Sequence, residues 1–181
     1  MRLTRVLSRW FLVAAIFSAT AVVLSARDGA AVEGIDHYLR VTDTVSIGGQ
    51  PTPAQILALR QAAFHAILNL REDAEYDEKE EAAAAREAGL TYLRIPVRSS
   101  DPHDAQADEF LRVTDDAANL PIFIHCAAGN RAGAFWLIRR VLRDGKPFEE
   151  AEAEARRIGL KSPNLVEFAR AYVEKHPAAK R

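Results

Sequence analysis

The stretch PIFIHCAAGNRAGAFW, residues 121–136, holds the only cysteine of the chain. Its first half, PIFIHC, is apolar without alternation, as a strand is when both faces are covered, so it is expected at the centre of a sheet. Ala127, Ala128 and Gly129 follow, and Asn130 and Arg131 lead into a run of helical character. A strand, a small-residue loop and a helix start form one physical device. Loop N–H groups turned inward, with the partial positive charge of the helix N-terminus, hold a tetrahedral oxyanion. Gly129 permits the positive φ that such a loop requires, and the small side chains of Ala127 and Ala128 leave its mouth open. Arg131 supplies a planar fork that donates two hydrogen bonds to phosphate or sulfate oxygens, a geometry lysine does not reproduce.

The same surroundings act on the thiol. An ordinary cysteine is only about 3% thiolate at pH 7, and helix N-terminal amides with a nearby arginine shift that balance toward the thiolate. Cys126 is therefore expected to be a standing nucleophile. A lone cysteine after an apolar strand is also a common inert core residue. Against that stands Arg131, because an arginine in the first turn of a helix opposes the dipole and calls for an anion beside it. His125 is expected on the opposite side of the strand, hydrogen-bonding loop backbone to hold the loop's shape rather than acting as a base.

Outward from this stretch, short β-like runs alternate with helical ones from about residue 34, the pattern of an α/β domain. YLRVTDTVSIGG reads as two short strands around Thr42-Asp43. Thr52, Pro53 and Gln55 spell a capping box at the start of a helix. HAILNL is a buried strand, EYDEKEEAAAAREAG a charged helix stopped by Gly89, and LTYLRIPV a strand ended by Pro96. A polar loop with Asp101-Pro102 leads to a helix through about Ala118, and three helices over residues 131–143, 147–158 and 163–175 close the chain. The fold class is α/β, with a mostly parallel central sheet of four or five strands flanked by helices, over residues 34–176.

With 181 residues, 49% hydrophobic and 27% charged, the chain has material for one domain with a real core. A net charge of −1 gives no electrostatic footprint for nucleic acid or anionic membranes, and one cysteine excludes an intramolecular disulfide. Residues 1–30 read as a leader. Arg2, Arg5 and Arg9 precede an uncharged stretch over residues 10–26 that as a helix reaches about 26 Å, slightly short of a hydrocarbon core of about 30 Å. Ala19-Thr20-Ala21 favours cleavage as a signal peptide, and the apolar run through Leu24 favours retention as an inner-membrane anchor. Either outcome exports the rest, to a periplasmic or other extracytoplasmic location. His37, His65 and His176 show no metal-site spacing.

HCAAGNRAG resembles the active-site loop of the cysteine-dependent protein tyrosine and dual-specificity phosphatases, where His-Cys begins the loop and Arg-(Ser/Thr)-Gly ends it. Most of residues 44–145 is similar to the bacterial phosphatase-like domain first noted in beta-lactamase-hydrolase-like proteins. The resemblance implies hydrolysis of a phosphorylated protein or small molecule through a thiophosphoryl-enzyme intermediate, without metal or other cofactor. It implies Cys126 as nucleophile, the amides of residues 127–130 with Arg131 as the phosphate cradle, and a carboxylic acid on the loop after LTYLRIPV. Asp101 is the first choice for that acid and Asp104 the second, with His103 between them; either aspartate also suits a helix start. Arg71 and Asp73 follow a strand whose end should face the loop, and Arg71 is a candidate to orient substrate. Arg156, Arg157 and Lys161 are candidates for a basic rim, although i, i+4 pairing with Glu152 is the simpler account of Arg156.

Two departures from the family pattern stand out. Four residues rather than five separate Cys126 from Arg131, a shorter form that is often found in the bacterial phosphatase-like group and also in the rhodanese loop, where the cysteine carries a persulfide. Ala132 stands where most phosphatases have the hydroxyl that helps the thiolate leave. A rhodanese-like sulfurtransferase and a turnover-deficient phosphate-binding module are therefore the alternatives.

Overall fold

Thr52 starts the first helix by the device its sequence spells out. Its hydroxyl accepts from the Gln55 N–H, Gln55 Oε1 accepts from the Thr52 N–H at 2.8 Å, and Pro53 takes the first helical position. The structure, a computed structural model, describes residues 32–177. In chain order its elements are β1 Leu39–Arg40, β2 Val45–Gly48, α1 Pro53–Gln61, β3 Ala66–Asn69, α2 Glu78–Ala88, β4 Thr91–Arg94, α3 Asp104–Asp115, β5 Ile122–His125, α4 Asn130–Leu142, α5 Phe148–Ile158 and α6 Pro163–Lys175. Short 3₁₀ turns occupy Asp73–Glu75 and Ala117–Asn119.

The strands form one sheet in the order β1-β2-β5-β3-β4. β2, β5, β3 and β4 run parallel, and β1 pairs antiparallel with β2 at the edge. β5 is central and wholly buried, because both faces of the sheet are covered. Ile122 and Ile124 point into a core shared with Phe110, Phe135 and Trp136 of α3 and α4, while Phe123 packs with Ile56, Leu59 and Phe64 on the α1 side. Truncating Phe123 to alanine should cost about 3–5 kcal/mol. In a parallel sheet the carboxyl ends of the strands share one side, so the loops after β2, β3, β4 and β5 gather there.

The structure moves two expected helix boundaries. α2 begins at Glu78, because the Asp77 carboxylate caps it by accepting from the N–H groups of Lys79 and Glu80; Glu75 thus belongs to a turn ahead of the helix. The helix expected to reach Ala118 ends at Asp115, where Asp116 leaves helical geometry and caps the following 3₁₀ turn. The expected leader lies outside the described residues. Among the described residues no helix is long and apolar enough to cross a membrane.

Candidate active site

Period-2 alternation along β5 sends His125 to the Phe123 side of the sheet and Cys126 to the opposite face. Cys126 is 1% exposed, whereas Ala127 and Ala128 are open to solvent. Gly129 caps α4 at φ 81°, and a Cβ there would stand 1.9 Å from the carbonyl oxygen of Ile158. Only glycine satisfies both the positive φ and that approach. The loop is clamped from two sides. Gln50 donates its N–H to the Ala127 carbonyl at 3.2 Å, beside a bridge between Gly49 and Ala128. On the other side, Asn130 Oδ1 accepts from the N–H groups of Lys161 (2.8 Å) and Ser162 (3.1 Å), where α5 passes into α6.

Arg131, the second residue of α4, is 5% exposed. Its two terminal nitrogens grip the Glu75 carboxylate, one oxygen each, with NH2 to Oε2 at 2.7 Å. NH1 also donates to the Val97 carbonyl at 2.9 Å. Burial opposes the guanidinium charge, but the bond to Glu75 and the proximity of Cys126 outweigh it and raise the affinity for the proton above the ordinary arginine range. Reciprocally, the bond from Arg131 holds the Glu75 carboxyl below the usual glutamate range. The anion that Arg131 calls for at a helix start is thus supplied within the chain.

His125 departs from the expectation. Its ring is fully buried, stacks on Phe123 with centroids 5.9 Å apart, and places Nε2 2.8 Å from Oε1 of Glu81 on α2. The approach is too oblique for a linear hydrogen bond, a close polar contact, and neither ring nitrogen has a well-aligned partner among the described residues. The reason is geometric: the ring faces the α1–α2 layer, away from the loop backbone it was expected to hold.

Of the two candidate acids, Asp104 sits in the first turn of α3, paired with Lys175 at 3.0 Å. Asp101 lies in the bend before it, 3.6 Å from His103, with its side chain 68% exposed. Asp101, His103, Arg98 and Glu72 line a cavity of about 530 Å³. The cavity wall also includes Ala74 and Pro96, chain neighbours of Glu75 and Val97, the two groups that hold Arg131; Cys126, Arg131 and the loop residues between them are not among the residues lining it. His103, not Asp101, takes the N-cap position of α3, its backbone N–H donating to Gln106 Oε1 at 2.8 Å.

Arg71 bridges Gln50 Oε1 (2.7 Å) and the Glu75 carbonyl, and Asp73 pairs with Arg94. Arg156 pairs with Glu152 at 2.6 Å, the simpler of its two accounts. Glu75, Glu81 and Gln50 escape a reading of the sequence. The first two sit in a run that reads as a charged helix, and the only local hint at Gln50 is the Gly48-Gly49 break before it.

Comparison with known proteins agrees with this architecture. A family model described as a DSP-PTPase phosphatase fused to NAD+ kinase matches residues 22–166. The beta-lactamase hydrolase-like protein of Xylella fastidiosa (strain Temecula1) is 28% identical over 117 residues, 62% of this chain, and the chain spans about a quarter (27%) of that relative's length. The core catalytic domain of the PP-IP phosphatase SIW14 from S. cerevisiae superposes with a TM-score of 0.70 at 19% identity, over 81% of this chain and 91% of that one. P. aeruginosa TpbA in complex with pTyr superposes with a TM-score of 0.63 at 22% identity, over 86% and 92%. These structural neighbours share the cysteine-phosphatase fold. With the family model spanning most of its length, the chain belongs to the DSP-PTPase phosphatase family.

Proposed function

We propose that the chain is a cysteine-dependent phosphomonoesterase of the tyrosine or dual-specificity type. The observation that carries this reading is the placement of Cys126 at the end of the central strand, under a loop clamped open between two backbones, with the Arg131 guanidinium held beside it. Arg131 has five N–H donors, of which Glu75 and Val97 take three. Two remain for the oxygens of a bound phosphoryl group.

The chemistry then runs in two displacements. Cys126 Sγ attacks phosphorus in line; the S–P bond forms as the P–O bond to the leaving group breaks, and Asp101 gives its proton to the departing oxygen. Water next attacks the thiophosphoryl group while Asp101 takes a proton back, the S–P bond breaks, and inorganic phosphate leaves. Loop amides and Arg131 stabilise the charge that builds on the equatorial oxygens. The substrate is a phosphorylated protein or small molecule: among the structural neighbours, one is described as a PP-IP phosphatase and one is bound to pTyr. Export through the N-terminal segment belongs to the same proposal, with tryptic accessibility in intact cells as its check.

Ala132, fully buried where most phosphatases carry a hydroxyl, favours a second reading in which phosphate binds without turnover. One experiment separates the two. With p-nitrophenyl phosphate in EDTA, the wild type should release p-nitrophenol, vanadate should inhibit, and Cys126→Ser should bind phosphate without hydrolysis. Activity surviving in Cys126→Ser rejects the mechanism. Phosphate binding by an inert wild type selects the binding module, and thiosulfate-to-cyanide transfer through a Cys126 persulfide selects a sulfurtransferase.

A further inference from the structure

Behind the nucleophile loop lies a buried polar cluster that neither phosphate binding nor the transfer step calls on. Glu81 is 5% exposed, in a helix whose sequence reads as charged. Its carboxylate receives Gln50 Nε2 at 2.8 Å and Asn69 Nδ2 at 3.2 Å, besides the contact with His125. Burial alone pushes this carboxyl toward its protonated form; the contacts with His125, Gln50 and Arg71 outweigh burial and hold it below the usual glutamate range. An ionised oxygen 2.8 Å from a ring nitrogen repels a lone pair there, so the contact favours the His125 tautomer with its N–H on Nε2. Asn69 Nδ2 also reaches the Tyr92 hydroxyl at 3.2 Å, which meets the Tyr76 hydroxyl at 3.1 Å, so the polar chain continues beyond Glu81.

Gln50 joins the cluster to the loop itself. Its side chain donates to Glu81 and accepts from Arg71, and its backbone N–H holds the Ala127 carbonyl. Arg71 in turn bonds the Glu75 carbonyl, and the Glu75 side chain carries Arg131. One carboxylate is therefore linked to the residue before the nucleophile, to the residue after it, and to the arginine at the far end of the loop.

We infer that Glu81 is a positioning residue for the phosphoryl transfer: its buried carboxylate fixes the His125 ring and its Nε2 proton behind Cys126 and, through Gln50, fixes the first residue of the loop. The inference rests on the phosphatase reading only for its effect on turnover. Its effect on the thiol is independent of that reading. Among the groups that contact Glu81 there is neither Cys126 nor Arg131, so it acts through His125 and Gln50.

Because Cys126 is the only cysteine, iodoacetamide reports on that thiol alone, followed by mass spectrometry at pH 6. Glu81→Gln should slow alkylation about tenfold and lower kcat on p-nitrophenyl phosphate by a similar factor, while inhibition by inorganic phosphate shifts less than about threefold. On a His125→Gln background the same substitution should change alkylation less than about twofold, since residues acting in series are not additive. Wild-type alkylation in Glu81→Gln, or a full tenfold loss repeated on the His125→Gln background, overturns the inference. Should Glu81→Gln fail to fold, ¹⁵N NMR of the wild-type imidazoles decides: a protonated His125 Nε2 supports the inference and a bare one overturns it. A wild type inert toward the ester, whose alkylation still depends on Glu81, removes the phosphatase reading and leaves the role of Glu81 standing.

Discussion

Substituting Gly129 by alanine tests the geometry of the loop through a contact with backbone rather than with substrate. The position demands a left-handed φ of 81° and brings the new Cβ to 1.9 Å from the Ile158 carbonyl oxygen. The backbone conformation alone costs a non-glycine residue about 1–2 kcal/mol. Relieving the clash requires residues 158–159 or the loop to retreat by roughly 1 Å, an overpacking cost of about 1–3 kcal/mol. A total near 3 kcal/mol corresponds to a drop in Tm of roughly 10 °C for a domain of this size. A displacement of about 1 Å at a catalytic loop is also sufficient to lower kcat/KM by about 10²-fold. Gly145 provides the control, because it too has a positive φ, 68°, but a Cβ there meets nothing within 4 Å. Gly145→Ala should cost only the conformational part, roughly 3–7 °C, with unchanged kinetics. Differential scanning calorimetry and p-nitrophenyl phosphate kinetics on both variants measure the difference. Equal losses at the two positions would refute the assignment of the Ile158 contact as what shapes the loop.

Glu75→Gln keeps the volume but removes the charge opposite Arg131; kcat/KM should fall about tenfold as the guanidinium loses its anchor. Its carboxyl is held below the ordinary range in the folded state, so it stabilises the fold above the unfolded value of about 4.3 and that contribution is lost as pH falls through the folded value. The Tm of the wild type should therefore drop more steeply than that of Glu75→Gln on acidification from pH 5 to pH 3. Trp136→Phe removes the indole donor to Glu154 at 2.8 Å, while Arg140 and Lys146 still hold that carboxylate. It should lower stability by about 1–2 kcal/mol with kcat/KM unchanged. Asp101→Asn should reduce kcat by roughly 10²–10³-fold, and Asp104→Asn should leave it near wild type, since the latter loses only an exposed pair with Lys175. The opposite ranking in a kinetic assay makes Asp104 the acid.

The parts legible in the sequence are those written by local chemistry. The capping box at Thr52, the unalternating apolar run of β5 and the glycine before Arg131 each name their structure within a few residues, because propensity, hydrogen-bond geometry and burial agree there. The central place of β5 followed from the same signals, since a strand apolar on both faces belongs inside a sheet. What stayed hidden depends on partners distant in the chain. Glu75 lies 56 residues from Arg131 in sequence, and Glu81 sits among glutamates with the same local surroundings in sequence. Only the packing of α2 over the sheet turns Glu81 inward to Asn69 and His125. His125 was misread for a related reason: strand alternation fixed which side it faces, but not which helix waits there.

Glu75 also alters how Arg131 should be weighed as a signal. An arginine at a helix start implies a neighbouring anion, and that inference holds, yet the anion found is a carboxylate of the same chain. Such a partner does not compete with a phosphate for the whole guanidinium. Glu75 and Val97 engage the two terminal nitrogens, and a planar fork with five donors still has two to offer. The buried arginine is fixed in plane before any substrate arrives, so ordering it costs no entropy at the moment of binding. Lysine fails here on two counts, as it can neither grip Glu75 bidentately nor keep donors in a second fixed direction. Arg131→Lys should therefore lose both phosphate affinity and the acid-dependent stability contributed by Glu75. A variant losing only the first would mean that the Glu75 pair is not what holds residue 131 in place.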